Sequence, residues 1–429
     1  MTAPPIDPRD RDRRYVWHPW SPIAADRAQL MMSRGDGYRV WDVDGKEYID
    51  ASSLNATCGY AHPLMVEAIS RQLLRFHGLD ISIASHDLAG QLGERLASYL
   101  PDTLSRTLFV NSGSEGVEAA ALIAHGYWSH RGDPRSRIVG FTQGYHGSTV
   151  LARSASGLPR VEHPFEAPLR VTHIDLPLPP HQLRQPASLP VLLSVFERAL
   201  DGGPDDKPMA VMVEPFINVG GGVVLPAGFL AGLRQLCDAA DTLLILDEVF
   251  TGYGRTGRMF AFQHEDAAPD ILISSKGLAG GYLPIAAVTA QQWIYDSFTR
   301  EPVIGGLRYG HTTSGHAAAC AAALATLDLL ENDDLVGRAA RLGATLLNQL
   351  KPLTDSPDVT DVRGIGLIAV VETSSPEVAA AIHSRAEEAG LLLRLLGGAV
   401  MAVPPMTISE EGVATIADRL RWAAAIHGR

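Results

Sequence analysis

The sequence is poor in lysine and cysteine, and it lacks long apolar runs. Lysine occurs at only four positions: Lys46, Lys207, Lys276 and Lys351. The three cysteines lie far apart and form no C-x-x-C pair, which excludes a dense disulfide framework and any recognisable zinc-ligand spacing, so no metal site is expected. No uncharged apolar run reaches the ~18 residues that a membrane span requires. The polar, proline-rich N-terminus has no signal-peptide core. We therefore expect a cytoplasmic protein that does not bind membranes.

Positive charge is also in deficit. The chain has 36 Lys+Arg against 48 Asp+Glu, a formal net charge of −12, and no long basic run. This balance argues against a nucleic-acid surface, which needs clustered positive charge. With 46% hydrophobic and 20% charged residues over 429 positions, the sequence predicts a globular protein of two or three domains.

Short apolar runs alternate with longer helical patterns from about residue 106 to 276, as in RIVGFTQG, AVMVEP, TLLILDE and DILISSK. This alternation predicts an α/β fold with a largely parallel sheet and covering helices. Around this region we predict a mobile tail over 1–14, a hairpin at Asp44-Gly45 and a helix from Pro63 to Phe76. Residues 157–208 are predicted to form a surface excursion with one helix, at about 189–201. A helix from Ala317 is predicted to lead into a C-terminal α+β segment, with strands near 366–372 and 399–404.

Several predicted strands end in distinctive polar residues. These are Asn111-Ser112-Gly113-Ser114, Tyr145-His146-Gly147, Glu214-Pro215, Asp247-Glu248 and Ser275-Lys276. In open α/β sheets, ligands bind just outside the carboxyl ends of the parallel strands. The sequence therefore predicts one shared site at that edge of the sheet.

Two of the local motifs have alternative interpretations. The segment Ser112 to Glu115 can be interpreted structurally as a capping box. It can also be interpreted functionally as a phosphate-binding site at the positive end of a helix. GYGRTG matches G-x-G-x-x-G, so a nicotinamide dinucleotide site is considered. Its context is poor, because several residues separate the strand from the first glycine and no long helix opens at the third. Tight-turn glycines explain it better.

Among the four lysines, only Lys276 follows a buried apolar run and precedes a glycine-rich turn. Desolvation disfavours the ammonium form, which makes a lysine available as a nucleophile. Asp247 ends another apolar run, and a buried carboxylate needs a cationic partner. A phosphate cradle, a strand-end acid and a strand-end lysine together are typical of a pyridoxal 5′-phosphate site.

With these residues in view, the chain resembles the class III (ω-amino acid type) aminotransferases. The matching segments run in family order from about residue 37: NSGSEGVEAA, GYHGST, VEPFINVGGG, LILDEVFTGYGRTGRMFAFQH, PDILISSKGLAGGYLP, GHTTSGHAAACAAALA and VPPMTISEE. The resemblance implies pyridoxal-phosphate fold type I (aspartate-aminotransferase-like), with a mainly parallel seven-stranded sheet in a large domain and a smaller α+β domain. The implied boundaries are 1–65 for an N-terminal segment joining the small domain, 66–320 for the large domain and 321–429 for the small one.

The resemblance also assigns roles to individual residues. Lys276 resembles the lysine of the internal aldimine, and Asp247 resembles the acid that keeps the ring nitrogen protonated. Val249 and Tyr145 would pack on the two faces of the ring. The remaining implied cofactor contacts are Gly113, Ser114, His146, Glu214 and Thr312. Of these, Thr312 would contact the phosphate of the neighbouring subunit, which implies a homodimer with shared sites.

The substrates are less well defined by the resemblance. Arg394 aligns with the family arginine that binds a substrate carboxylate. The entry segment with Trp20 is similar to biotin-pathway diaminopelargonate synthases and to amine:pyruvate transaminases. The stretch 50–63, in which the family typically has a tryptophan, is about two residues shorter here and places Leu54-Asn55 at the wall. This predicts a wider or differently shaped pocket. Asn218 replaces a usual glycine.

We therefore expect a ping-pong aminotransferase that moves an amino group between a primary amine or ω-amino acid and a keto acid or aldehyde. The alternatives are a diaminopelargonate synthase-like enzyme, a different pyridoxal enzyme such as an aminomutase or decarboxylase, a nicotinamide oxidoreductase and, last, a non-catalytic binding protein.

Overall fold

The computed structural model describes residues 7–23, 30–162, 167–203 and 206–425. The α-helices are α1 (Pro8–Tyr15), α2 (Pro63–Arg75), α3 (Asp87–Ala97), α4 (Gly113–His130), α5 (Val150–Ala155), α6 (Pro180–Leu183), α7 (Leu189–Leu200), α8 (Phe229–Ala239), α9 (Gln292–Ser297), α10 (Ala317–Asn332), α11 (Leu335–Leu350), α12 (Pro376–Glu388) and α13 (Glu410–Ala424). The strands are β1 (Met32–Asp36), β2 (Arg39–Asp42), β3 (Glu47–Asp50), β4 (Leu104–Val110), β5 (Arg137–Phe141), β6 (Arg170–Ile174), β7 (Pro208–Val213), β8 (Phe216–Ile217), β9 (Val223–Val224), β10 (Leu243–Asp247), β11 (Ile271–Ser274), β12 (Ala286–Gln291), β13 (Val359–Gly364), β14 (Ala369–Thr373), β15 (Leu391–Leu392), β16 (Arg394–Leu395) and β17 (Ala399–Ala402).

The centre of the molecule is a seven-stranded sheet in the order β4-β12-β11-β10-β7-β5-β6. All of its strands run parallel except β12, which is antiparallel to both of its neighbours. Strands β5, β7, β10, β11 and β12 are buried along their whole length, as expected for a sheet covered by helices on both faces. The predicted mainly parallel seven-stranded sheet is confirmed.

Both ends of the chain meet in a second region. Strands β13, β14, β17 and β16 form an antiparallel sheet, and β3 pairs in parallel with β15, with Ile49 opposite Leu391. The N-terminal strands therefore belong to a sheet that the C-terminal segment completes. This pairing is what a small domain built from both chain ends requires, and the exact domain boundaries stay a prediction.

The hairpin at Asp44-Gly45, the helix from Pro63 and the helix beginning near residue 189 lie where they were predicted. Two expectations were wrong. Residues 157–208 contribute β6, which pairs with β5 at the edge of the central sheet, as well as the short helix α6. The predicted tail contains α1, whose N-cap Asp7 accepts a hydrogen bond from the Arg9 amide; residues 1–6 lie outside the described residues.

Candidate active site

A cavity of about 680 Å³ opens at the carboxyl ends of the central strands. Ten of the sequence-predicted site residues line it: Leu54, Gly113, Ser114, Tyr145, His146, Glu214, Asp247, Val249, Lys276 and Arg394. These residues come from segments that are far apart in the chain, and the sheet brings them together because its parallel strands all end at this edge. The predicted convergence of strand ends is therefore a feature of the structure.

Lys276 begins a short 3₁₀ helix, Lys276–Ala279, two residues after β11 ends. Its φ of +34° lies in the region that non-glycine residues rarely adopt, so the surrounding packing holds the backbone there. Burial lowers the pKa of the Lys276 amine; the negative charges of Asp247 and Glu214 partly oppose this, while Arg394 adds to it. The net lowering increases the fraction of neutral amine, the form that attacks a carbonyl.

Asp247 is the last residue of β10, and its side chain is buried beside that of His146. Asp247 Oδ2 and His146 Nδ1 lie 2.7 Å apart, and Asp247 Oδ1 accepts a hydrogen bond from the Val249 amide at 3.1 Å. Burial alone would lower the pKa of His146, but the hydrogen bond to Asp247 and the charges of Asp247 and Glu214 raise it overall. The Asp247 carboxylate is thus held in place on both oxygens.

Glu214 directly follows β7 and accepts a hydrogen bond from the Tyr145 amide at 3.3 Å. Burial raises the pKa of Glu214 to about 8, aided by the charge of Asp247, although His146 and Lys276 oppose the shift. Burial therefore favours the neutral form of this carboxyl group, which can donate as well as accept a hydrogen bond.

The first turn of α4 lies at the cavity wall. Ser112 caps the helix by accepting from the Glu115 amide at 3.2 Å, and Glu115 Oε2 accepts from the Asn111 amide at 2.7 Å. The capping interpretation is correct in substance, with Glu115 reaching back one residue further than the N-cap. Gly113 and Ser114 face the cavity at the same helix end, where free backbone N–H groups favour an anion such as phosphate.

Close packing explains why positions 113 and 147 are occupied by glycine. A Cβ on Gly113 would lie 2.9 Å from both methyl carbons of Val249, and one on Gly147, where φ is +137°, would meet Ser114. Ser114 Oγ accepts a hydrogen bond from the Ser148 amide at 3.1 Å. The segments after β4, β5 and β10 therefore touch at the helix end and leave room beside it.

Two predicted site residues do not line the cavity. Trp20 is 61% exposed, and its ring centroid lies 6.4 Å from that of Tyr145. Thr312 is exposed, and its neighbour Thr313 donates to Asn111 Oδ1 at 2.9 Å. The structure brings the other ten together, places Trp20 beside Tyr145 at the cavity margin and leaves Thr312 outside the lining.

The glycines of GYGRTG are tight-packing glycines. A Cβ on Gly254 would lie 2.7 Å from Met406 Cε, and one on Gly257 would lie 2.9 Å from Ala340 Cβ. The buried Arg255 donates from Nη1 to the carbonyl oxygen of Pro404 at 2.7 Å. This loop packs against the C-terminal region, and these contacts leave no space for a dinucleotide against Gly254 and Gly257.

Several residues of the cavity wall were not predicted from the sequence, including Ser53, Phe250 and Tyr282. The sequence also indicated Asn218 only as an altered turn, whereas the structure places it in the wall with an exposure of 1%. The contact between His146 and Asp247 joins residues 101 positions apart, and only the strand-end pattern could have indicated it.

The residues present fit pyridoxal phosphate: a helix end for the phosphate, a buried acid for the ring nitrogen and a desolvated lysine for the aldehyde. The fold and this site define an enzyme of pyridoxal-phosphate fold type I. A family model described as "Aminotransferase class-III" matches residues 22–423, and the chain belongs to this family of pyridoxal-phosphate-dependent aminotransferases.

Curated relatives and solved structures agree with this assignment. The chain is 34% identical to an adenosylmethionine-8-amino-7-oxononanoate aminotransferase of Geobacter sulfurreducens, over 96% of each protein. It is also 34% identical to an omega-aminotransferase of Caulobacter vibrioides, over 96% of this chain and 97% of the relative. The omega transaminase from Pseudomonas jessenii in complex with PMP superposes with a TM-score of 0.91 at 30% identity, over 97% of each chain.

No described helix is long and apolar enough to cross a membrane. No group of three or more His, Cys, Asp or Glu side chains within the described ranges could hold a metal ion.

Proposed function

We propose that the protein transfers an amino group between a primary amine or ω-amino acid and a keto acid or aldehyde, in two half-reactions at one site. The observation that carries the proposal is the single cavity in which Lys276 lies with Asp247, Glu214 and Arg394. Bound pyridoxal phosphate would supply the aldehyde that accepts the amino group and the ring that takes up an electron pair.

The side chains of this protein would divide the work by position. Gly113 and Ser114 would hold the phosphate at the helix end, with Val249 and Tyr145 at the two ring faces. Asp247, fixed by His146, would hold the proton on the ring nitrogen because a buried carboxylate stabilises a facing cation. Lys276, whose pKa is lowered, would carry the proton to and from the substrate carbon.

Arg394 would bind the substrate carboxylate. It lies on β16 at the cavity wall, and the one hydrogen bond that its side chain makes to a described residue, from Nη1 to the Ser52 carbonyl oxygen, is 3.3 Å long. Burial desolvates the guanidinium and thereby lowers the pKa of Arg394. The desolvated cation is stabilised by an anionic partner. Its planar fork suits the two oxygens of a carboxylate.

The wall around Leu54 supports a pocket that accepts large amines. Leu54 and Asn55 line the cavity where the family resemblance expects a tryptophan. A structural neighbour with a TM-score of 0.91 and 30% identity is a thermostable omega transaminase variant engineered for asymmetric synthesis of enantiopure bulky amines. We infer that this chain accepts amines with bulky substituents, and that Trp20 at the cavity margin contacts them.

The functional unit is proposed to be a homodimer in the cytoplasm. Thr312 is exposed beside the loop that reaches Asn111, which supports a contact with the phosphate bound by a second copy. Cys58, Cys237 and Cys320 are buried and unpaired, which suits a reducing compartment.

The second candidate is a diaminopelargonate synthase-like enzyme. It is favoured by the relatives named adenosylmethionine-8-amino-7-oxononanoate aminotransferase, at 34% identity. The test of both candidates is a panel of amines, ω-amino acids and adenosylmethionine, mixed singly with the holoenzyme and followed by absorbance. Transfer from amines and ω-amino acids with none from adenosylmethionine supports the first proposal, and the reverse supports the second. An aminomutase or decarboxylase would release product without leaving the cofactor in its amine form.

A further inference from the structure

Asn218 is a buried polar residue without a partner in the wall of the active-site cavity. It is 1% exposed and lines the same cavity as Lys276 and Arg394. Its side-chain oxygen is buried, and the structure gives the Asn218 carboxamide no hydrogen bond to another described residue. An unpaired buried amide is unfavourable, so its presence in a cavity wall points to a ligand that completes it.

The turn that carries Asn218 is firmly attached to the C-terminal sheet. The Gly222 amide donates to the backbone carbonyl oxygen of Asn218 at 2.9 Å. The buried Arg363 of β13 donates from Nε to the Gly222 carbonyl oxygen at 2.6 Å and from Nη2 to that of Gly221 at 2.7 Å. A Cβ on Gly222, where φ is +62°, would lie 2.7 Å from Val370. The position of Asn218 in the wall is therefore well defined.

Two guanidinium groups lie near this turn: Arg394 lines the cavity, whereas Arg160 is exposed and lies outside the lining. The turn packs beside the hairpin of Arg394, since a Cβ on Gly222 would lie 3.4 Å from Leu396. Arg160 donates from Nη2 to the Val219 carbonyl oxygen at 3.4 Å, directly beside Asn218. Neither arginine has a carboxylate within 4.0 Å among the described residues. The charge of Arg160 helps to lower the pKa of Arg394, so both cations favour an anion bound beside Arg394.

A carboxylate is the ligand group that suits this combination. Its two oxygens offer more acceptor sites than one guanidinium fills, so a neighbouring amide N–H can be accommodated. A carboxamide turns by 180° at little cost, and either its oxygen or its NH₂ group can occupy the unpaired position. Beside two cations, an anionic ligand selects the NH₂ group.

We propose that Asn218 is a specificity-determining residue: its carboxamide donates a hydrogen bond to the carboxylate of the keto acid held at Arg394, and thereby favours acceptors with a carboxylate over neutral aldehydes. The glycine that the family resemblance expects here has no side chain for this contact. The inference rests on the proposed function and adds the means by which the enzyme selects its acceptor.

The test compares pyruvate with propanal, which has no carboxylate, in single-turnover reactions of the holoenzyme in its amine form. Asn218→Gly should lower kcat/KM for pyruvate about tenfold to hundredfold, the loss expected for one hydrogen bond to a charged group, and leave propanal within about twofold. Asn218→Asp, which keeps the shape and adds a negative charge, should lower kcat/KM for pyruvate further. Gln349 is a matched control, because it is another amide with a buried unpaired oxygen but does not line the cavity.

Gln349→Ala should leave the ratio of the two kcat/KM values unchanged. Equal losses for pyruvate and propanal in Asn218→Gly, or no loss for either, would overturn the specificity role while wild-type transfer to pyruvate upholds the proposed function. If the wild-type protein transfers no amino group to any acceptor, both are overturned. Because Asn218→Asp is isosteric, the test does not depend on the glycine variant folding well.

Discussion

Replacing Gly147 by alanine should damage cofactor binding through Ser114. With φ at +137°, the new Cβ would lie 2.8 Å from Ser114 Cβ and 2.9 Å from Ser114 Cα, closer than packed carbons approach. The backbone conformation costs about 1–3 kcal/mol for a non-glycine residue, and the overpacking adds about 1–3 kcal/mol. Because Ser114 lies in the first turn of α4, relief of the clash moves the proposed phosphate contact.

Loss of one charge-assisted hydrogen bond there would cost about 1.5–3 kcal/mol, which corresponds to a rise in the Kd for pyridoxal phosphate of about 10- to 150-fold. Gly45→Ala is the matched control, because Gly45 also has a positive φ, +86°, but has no atom within 4 Å of its added Cβ. The assay is an absorbance titration of cofactor-free protein, with urea unfolding measured in parallel. A Kd within twofold of wild type for Gly147→Ala, or an equal rise for Gly45→Ala, would refute the reasoning.

Three further outcomes are expected. Asp247→Asn removes the charge from a buried pair and should lower the free energy of unfolding by about 3–5 kcal/mol, as measured by urea unfolding at pH 6. A loss below about 1 kcal/mol would contradict the role of the His146 contact. Glu214 has a pKa of about 8, raised by burial, so the folded state binds its proton more tightly than the unfolded state and stability is lost as the pH rises from about 5 to 8. Glu214→Gln should therefore gain stability relative to wild type over that interval in urea unfolding of cofactor-free protein, whereas a difference independent of pH would contradict the shift. Leu54→Trp should lower kcat/KM for a bulky aryl amine at least about tenfold and leave a small amine within about threefold, because one ring fills the proposed space; equal losses would show that Leu54 does not set pocket width.

The central sheet and its site edge could be predicted because their signals are local. Runs such as Leu243–Asp247 and Ile271–Ser274 are apolar throughout and fully buried, and they alternate with helical patterns. Parallel strands joined by helices must end at one edge, which places Asp247 and Lys276 together without knowledge of any long-range contact. Because the chain has only four lysines, Lys276 was the only one that followed a buried apolar run in the sequence.

Other features carry no such signal. The edge strand Arg170–Ile174 has mostly partly exposed or exposed side chains, so no buried run identifies it. The helix Pro8–Tyr15 has no buried residue, and its charged sequence is equally typical of a tail. The unpaired state of Asn218 depends on Arg363 and the turn glycines, which are more than 140 residues apart in the chain. Contacts of this kind depend on tertiary packing and cannot be predicted from local pattern.

The most direct test of the account is the reaction of purified holoenzyme with a primary amine, followed by visible absorbance in wild type, Lys276→Ala and Lys351→Ala. Lys351 lies at the end of α11, and its substitution controls for the loss of a lysine away from the cavity. We predict that wild type and Lys351→Ala convert the cofactor to its amine form at similar rates, and that Lys276→Ala is slower by at least about a thousandfold. A Lys276→Ala protein that transfers the amino group at the wild-type rate would contradict the account.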